Sequence, residues 1–261
     1  MQDLIILKKK VEVSHNMDYG NYQFSKREWV IYSGAYLGLV GIVSLLFYRS
    51  LIAFFILLPG SILFFKERKM ACRKKRIKCL EEQFLAGMQA VSNALSAGYS
   101  IENAFKEAET ELAKVYDKED FIVMEFQMIT RLLALNRPIE SLLSDFGKRS
   151  HAEDIESFAE VFVAARRSGG DLIAIIRNTV SAIGQKAETR AEIEVCIAAK
   201  KMEQNVMSVV PMGILIYMGI SSPGFLDGMY HNLAGIAIMT GCLGVYLGAW
   251  YWGRKLVDIR I

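Results

Sequence analysis

Residues 29–65 read WVIYSGAYLGLVGIVSLLFYRSLIAFFILLPGSILFF, and residues 206–252 read VMSVVPMGILIYMGISSPGFLDGMYHNLAGIAIMTGCLGVYLGAWYW. Each stretch holds one Asp, Glu, Lys or Arg, namely Arg49 in the first and Asp227 in the second. A helix crosses the hydrocarbon core of a bilayer in about 20 residues. Stretches of 37 and 47 residues are too long for one crossing and suit two, so the sequence predicts two membrane hairpins with four spans.

The rest of the chain fits an integral membrane protein with one polar domain. Of its 261 residues, 52% are hydrophobic, and the mean hydropathy is +0.24. Residues 66–205 show helical periodicity without a long apolar run, and they are numerous enough to form their own core. We therefore predict an all-α protein with these segments: 1–28 as an N-terminal segment, 29–65 as hairpin 1, 66–205 as a helical domain, 206–252 as hairpin 2, and 253–261 as a tail.

The positions of Lys and Arg predict the orientation. Basic residues flank the same end of every predicted span: Lys26, Arg27, Lys66, Arg68, Lys69, Lys200, Lys201, Arg254, Lys255. In the two opposite loops, Arg49 and Asp227 are the only Asp, Glu, Lys or Arg residues. Because cytoplasmic loops carry the excess of Lys and Arg, both termini and residues 66–205 are predicted to be cytoplasmic.

The net charge of +3 hides an asymmetry. Residues 66–78 hold eight Lys/Arg and one Glu, a net charge of +7, whereas residues 79–205 hold 14 Lys/Arg and 21 Asp/Glu, a net charge of −7. The basic stretch lies where anionic lipid headgroups of the bilayer are expected. No aromatic interleaving or reader motif accompanies it, so nucleic acid is not a predicted partner.

Helix-ending residues divide the polar domain into six helices. The first ends at Gly98, and Ser100 caps a second over about 101–115. Asp117 with Asp120 is predicted to open a third, which ends near Leu135. Short turns between the helices favour an antiparallel bundle.

The second half of the domain follows the same logic. Pro138 suits the first turn of a fourth helix, and Ser150 with Glu153 matches a capping box for a fifth that ends at Gly169-Gly170. Asp171 opens a sixth helix. No stop signal follows before Pro211, so this helix is predicted to continue into the third span.

Small residues and carboxylates are the candidate interaction features. Gly34 and Gly38, and likewise Gly244 and Gly248, have the G-x-x-x-G spacing that permits close helix packing in lipid, although glycine is also common in membrane helices. Clustered carboxylates include Glu102, Glu107, Glu153 and Glu160. Solvated helix faces explain such clusters, and the alternative is an acidic docking surface.

No motif for catalysis is present in the sequence. It lacks G-x-x-x-x-G-K-[ST], H-E-x-x-H and G-x-S-x-G, and its four cysteines form no C-x-x-C pair. The predicted spans contain no acidic residue, which disfavours an ion-coupled transporter and an intramembrane aspartyl peptidase. We predict no catalytic residue, cofactor or metal. A membrane-anchored scaffold or a transporter unrelated to secretion is the alternative to the function that the family resemblance below implies.

Four motifs between residues 18 and 252 resemble one known family. They are FLAGMQAVSNALSAGYSI at 84–101, SGGDL at 168–172, ETR at 188–190 leading to VVP at 209–211, and DYGNY with FSKRE at 18–28. Together, and by their order along the chain, they resemble the type II secretion F-domain family, and within it the TadB-like proteins of Tad/Flp-type pilus systems. Gly98, Gly169, Gly170 and Pro211 occupy the family's turn and span positions. Ser168, where many members have Thr, and Asn136, where Gly is frequent, leave the subfamily open.

The resemblance implies a non-enzymatic platform in the cell (inner or plasma) membrane. Its implied partners are a cytoplasmic secretion ATPase, a second F-domain (TadC-like) membrane protein, pilin subunits and the lipid bilayer, in a homo- or hetero-oligomer. In such a platform the carboxylates of Glu102, Glu107, Glu153 and Glu160 are candidates for docking the ATPase.

Overall fold

A computed structural model describes residues 18–20, 24, 26–48, 54–55, 58–169, 171–222, 224 and 232–257. Within these ranges the chain is all-helical and contains no strand. The α-helices are α1 Lys26–Phe47, α2 Ser61–Ser96, α3 Ile101–Val115, α4 Phe121–Ala134, α5 Ile139–Ser150, α6 Glu153–Ser168, α7 Leu172–Ser221 and α8 Leu233–Val257. A 3₁₀ helix, Leu58–Gly60, precedes α2.

The chain divides into two compact units. We call Met1–Gln23 with Lys69–Glu188 the polar unit, and Phe24–Arg68 with Thr189–Ile261 the apolar unit. The helices α2 and α7 each contribute residues to both units. The division falls at 68/69 and 188/189, inside these two helices, whereas the sequence places the domain ends at 65/66 and 205/206.

Several predicted helix ends are confirmed. Gly98, after α2, has φ +92°, the left-handed conformation that favours glycine. Ser100 caps α3, since its hydroxyl accepts the Asn103 N–H at 3.3 Å. Asp171 likewise accepts the Ala174 N–H at 3.1 Å at the start of α7. These caps satisfy backbone donors that the first turn of a helix leaves unpaired.

Two predicted helix starts are wrong. Residues 117–120 form a turn in which the Asp117 N–H donates to Asp120 Oδ2 at 3.1 Å, so α4 begins only at Phe121. Ser150 is the last residue of α5 and not a cap of α6, because its hydroxyl donates to the Gly147 carbonyl at 2.7 Å and accepts the Ala152 N–H. The capping box predicted with Glu153 therefore does not form.

Aromatic side chains fill the core of the polar unit. Six phenylalanines are almost fully buried: Phe84, Phe105, Phe126, Phe146, Phe158, Phe162. The Phe84 and Phe158 rings meet at 5.5 Å between centroids, and those of Phe105 and Phe126 at 5.7 Å. Burial of each such side chain contributes about 2–3 kcal/mol. These contacts join α2 to α6 and α3 to α4.

Among the described residues, three helices are long and apolar enough to span a membrane. They are Lys26–Phe47, part of Leu172–Ser221, and Ala234–Leu256, which overlap the predicted spans 1 (about 29–48), 3 (about 206–222) and 4 (about 233–252). The second predicted span, 50–65, lies partly outside the described residues. The continuous helix predicted across residues 171–211 is confirmed, because α7 runs unbroken for 50 residues with Pro211 inside it. At 1.5 Å per residue it is about 75 Å long.

Polar bonds hold α8 against α7 near this proline. Pro211 has no N–H to donate to the carbonyl one turn earlier, which weakens the helix locally. The hydroxyl of Tyr246 on α8 donates to the Ser208 carbonyl at 2.8 Å. Such hydrogen bonds are important in lipid, because backbone groups there cannot form hydrogen bonds with water. On the same face of α8, Met239 and Leu243 pack with Phe47 of α1.

Candidate functional site

The predicted acidic residues form two exposed patches in the polar unit. We call Glu102 and Glu107 the α3 patch, and Glu153 and Glu160 the α6 patch, and all four side chains are exposed. Within the described part of the chain, none of these carboxylates forms an ion pair. Their negative charge is therefore available to a basic partner.

The two patches lie on different helix pairs. The helix α3 packs on α4, and α6 packs on α5. Burial of Phe105 and Leu112 determines which face of α3 is exposed to solvent. Burial of Phe158 and Phe162 does the same for α6. The α3 patch and the α6 patch are thus two separate candidates for one docking role.

A groove adjoins the α6 patch. It has a volume of about 280 Å³ and runs between α5 and α6. Glu156 and Glu160 line it together with Lys148 and Arg167, and Ala159 forms part of its floor. The mixture of both charges with small apolar residues suits a polypeptide segment better than a compact anion or cation.

The predicted turn glycines lie partly within the described residues. Gly98 and Gly169 both have positive φ, +92° and +68°. Gly170 lies outside the described residues. Asn136 (φ 58°) and His151 (φ 52°) take the same left-handed conformation at the α4–α5 and α5–α6 turns. His151 is the C-cap of α5.

The predicted packing glycines face open space in a single chain. A Cβ added at Gly34, Gly38, Gly244 or Gly248 would meet no described atom within 4 Å. These positions therefore do not explain the contacts of α1 and α8 with neighbouring helices. Packing against another subunit stays a prediction for them.

The structure also reveals a buried polar cluster that sequence analysis missed. Glu125 of α4 is 0% exposed, and Arg149 of α5 donates to both of its oxygens, at 2.7 and 2.9 Å. Arg149 also pairs with Asp145 at 2.7 Å. The Tyr19 hydroxyl donates to Glu125 Oε1 at 2.5 Å. One signal was available, because Glu125 lies on the same helix face as Ile122, Phe126 and Ile129.

Electrostatics keep the Tyr19 phenol and the Arg149 guanidinium protonated. Burial, followed by the charge of Glu125, raises the pKa of Tyr19 above its ordinary 10.0, so the phenol stays a hydrogen-bond donor. Burial alone lowers the pKa of Arg149, but hydrogen bonds and charge from Glu125 and then Asp145 outweigh that effect and raise it. Arg149 therefore remains a cation that compensates the buried carboxylate.

Metal-binding geometry is absent from the described ranges. There, no three His, Cys, Asp or Glu side chains come together in a group that could hold an ion. The four cysteines, Cys72, Cys79, Cys196 and Cys242, are free thiols.

Over its described residues the chain defines a class, an all-helical protein with three candidate membrane-spanning helices. Comparison of the chain with protein-family models, with curated proteins and with solved structures finds no significant match.

Proposed function

We propose that this chain is a non-enzymatic platform in the cell membrane that couples a cytoplasmic secretion ATPase to the export of pilin or another substrate. In this proposal the chain has four spans as two hairpins, a cytoplasmic six-helix antiparallel bundle and cytoplasmic termini. The bundle comprises the polar part of α2, the helices α3 to α6, and the polar part of α7. One observation carries the proposal: α7 runs without a break from the polar unit through a candidate span.

A continuous helix suits mechanical coupling. Each residue of an α-helix is hydrogen-bonded to the next turn, so a displacement at one end reaches the other without being absorbed by a flexible linker. Pro211 is the weakest point of α7, and the bond from Tyr246 to Ser208 braces the helix there. A push on the polar unit is proposed to reach the membrane through this braced helix.

The exposed carboxylates support the choice of partner. The α3 patch and the α6 patch offer unpaired negative charge, and charge complementarity accelerates and orients protein association. A basic surface of the ATPase is the proposed occupant of one patch. The family resemblance adds a second F-domain membrane protein and pilin subunits as further proposed partners.

Copurification tests this proposal. The full-length chain, solubilised in detergent, is purified from cells that also express a secretion ATPase of the same organism. The ATPase is expected to copurify at low salt and to dissociate progressively as the ionic strength rises, because exposed charges are screened. If the chain is folded and no ATPase copurifies at any salt concentration, the platform function is contradicted.

A further inference from the structure

Residues 18–20 insert a side chain into the polar unit from outside its helices. Tyr19 is 0% exposed, although it belongs to no helix. Its N–H donates to the Arg149 carbonyl at 3.1 Å, and its hydroxyl donates to Glu125 Oε1 at 2.5 Å. Both the backbone and the tip of this residue are thus bound.

Aromatic and cationic groups enclose the Tyr19 ring. Phe121 meets it edge to face with 5.4 Å between centroids, and Phe146 does so at 6.4 Å. The guanidinium of Arg76 lies 4.3 Å from the Phe121 centroid and 5.6 Å from that of Tyr19. Edge-to-face ring pairs and a cation over the face of a ring are both favourable arrangements.

Asp18 and Gly20, the residues on either side of Tyr19, both lie close to His151. The Asp18 Oδ1 atom lies 2.7 Å from His151 Nε2 and accepts the Gly20 N–H at 2.8 Å. A Cβ at Gly20 would overlap His151 Cδ2, so any larger residue here would have to displace the His151 ring. Three consecutive residues, Asp-Tyr-Gly, therefore each meet a specific requirement.

We infer that Arg76, Phe121, Glu125, Phe146, Arg149 and His151 form a binding site for an Asp-Tyr-Gly segment, and that residues 18–20 occupy it as a releasable latch. We call these six residues the tyrosine socket. All of them come from α2, α4 and α5 or the residue after α5, so the helices form the socket and the segment supplies only its ligand.

The docked segment lies close to the first helix in the sequence. The helix α1 begins at Lys26, and only residues 20–25 separate it from Tyr19. This inference does not depend on the proposed secretion function.

A peptide supplied in trans tests the socket directly. The probe is a fluorescein-labelled peptide of residues 14–24, SHNMDYGNYQF, and the receptor is the full-length Tyr19→Ala chain in detergent. Saturable binding is expected by anisotropy, at least tenfold weaker for a peptide with Ala in place of its central Tyr. The wild-type chain is expected to bind the probe at least tenfold more weakly, because its own segment is present at a high effective concentration. Absence of saturable binding to a folded Tyr19→Ala chain, or equal binding of both peptides, overturns the inference.

Hydrogen exchange gives a second readout should Tyr19→Ala fail to fold. The Tyr19 amide of the wild-type chain is expected to exchange at least tenfold more slowly than that of a Gly20→Ala variant, in which the added methyl group displaces His151. Gly184→Ala, at an open helical position, is the control and is expected to leave Tyr19 protection unchanged. Equally fast exchange at Tyr19 in the wild-type chain and the Gly20→Ala variant contradicts a docked latch.

Discussion

Arg149 and Glu125 form a bidentate ion pair, with Nη1–Oε1 at 2.7 Å and Nη2–Oε2 at 2.9 Å, although Glu125 is fully buried. A buried carboxylate persists only where a cation and further donors compensate its lost hydration. Arg149 is that cation and the Tyr19 hydroxyl is the further donor. This cluster fixes the junction of α4, α5 and the latch.

Removal of one partner of this pair should therefore be costly. Arg149→Met removes the cation that compensates the buried Glu125 carboxylate, and we expect the free energy of unfolding of the polar unit to fall by about 3–5 kcal/mol. Thermal unfolding followed by circular dichroism measures the effect. The control is Lys78→Met, which removes an exposed pair with Glu82 inside the polar unit and should cost less than about 1 kcal/mol. Equal losses in both variants would show that the buried pair is not a special contact.

Gly87 is expected to tolerate no side chain. A Cβ there would lie 2.7 Å from Phe126 Cζ and 3.2 Å from Leu112 Cδ1, inside a packed core. Overpacking of this kind costs about 1–3 kcal/mol, so Gly87→Ala should lower the unfolding temperature.

Gly184→Ala is the matched control for this change. It is also a glycine inside an α-helix of the polar unit, but no described atom lies within 4 Å of its added Cβ. Alanine is favoured over glycine in a helix by about 1 kcal/mol, so stability should rise. A loss of stability at Gly184, or a gain at Gly87, would contradict the packing described for α2 and α7.

Alkaline pH should release the latch. The pKa of Tyr19 is raised in the folded chain, whereas in the unfolded chain it is close to 10.0. The unfolded state then loses its proton first, so the contribution of Tyr19 to stability is complete below about pH 10 and is lost as the pH rises above that value.

The comparison of Tyr19→Phe with the wild-type chain isolates this effect. The stability difference between the two proteins, measured from pH 8 to pH 11, should shrink as the pH passes 10, because phenylalanine does not ionise. The other ten tyrosines are common to both proteins and cancel in the difference. A difference that does not change with pH would mean that Tyr19 titrates as an exposed phenol.

Charge reversal should show which acidic patch docks the ATPase. Glu102→Lys with Glu107→Lys changes the α3 patch, and Glu153→Lys with Glu160→Lys changes the α6 patch. One pair is expected to weaken ATPase binding by about tenfold or more in a low-salt binding assay, mainly through the association rate. Glu119→Lys, an exposed carboxylate in the turn before α4, is the control. Unchanged binding in both double variants would exclude the acidic patches as the docking surface.

A feature of the fold could be predicted from the sequence when the residues that cause it are close together in the chain. The ends at Gly98, Ser100 and Asp171 were predictable, because left-handed glycines and side-chain caps act within three residues. Ser150 was misassigned because its hydroxyl bonds back into its own helix, an alternative that the same sequence allows. The continuity of α7 followed from the absence of any stop signal before Pro211.

The tyrosine socket was beyond such local reasoning. Tyr19 and Glu125 are 106 positions apart, and Arg149 lies on a different helix from Glu125. No periodic pattern surrounds Tyr19, since it lies outside every helix. Only the packing of α2, α4 and α5 brings these residues together, and packing is decided by the whole core rather than by a local motif.

Interruption of α7 tests the central claim most directly. Residues 198–201, Ala-Ala-Lys-Lys, are replaced by four glycines in one variant and by four alanines in the other, and each variant is the only copy in the cell. Four glycines cost about 4 kcal/mol of helix stability relative to four alanines, while both variants lose the same two lysines. With equal amounts of each variant in the membrane, the measurement is the export of pilin or substrate. Our account predicts that export is retained with the alanines and lost with the glycines. Normal export by the glycine variant would contradict coupling through a continuous helix.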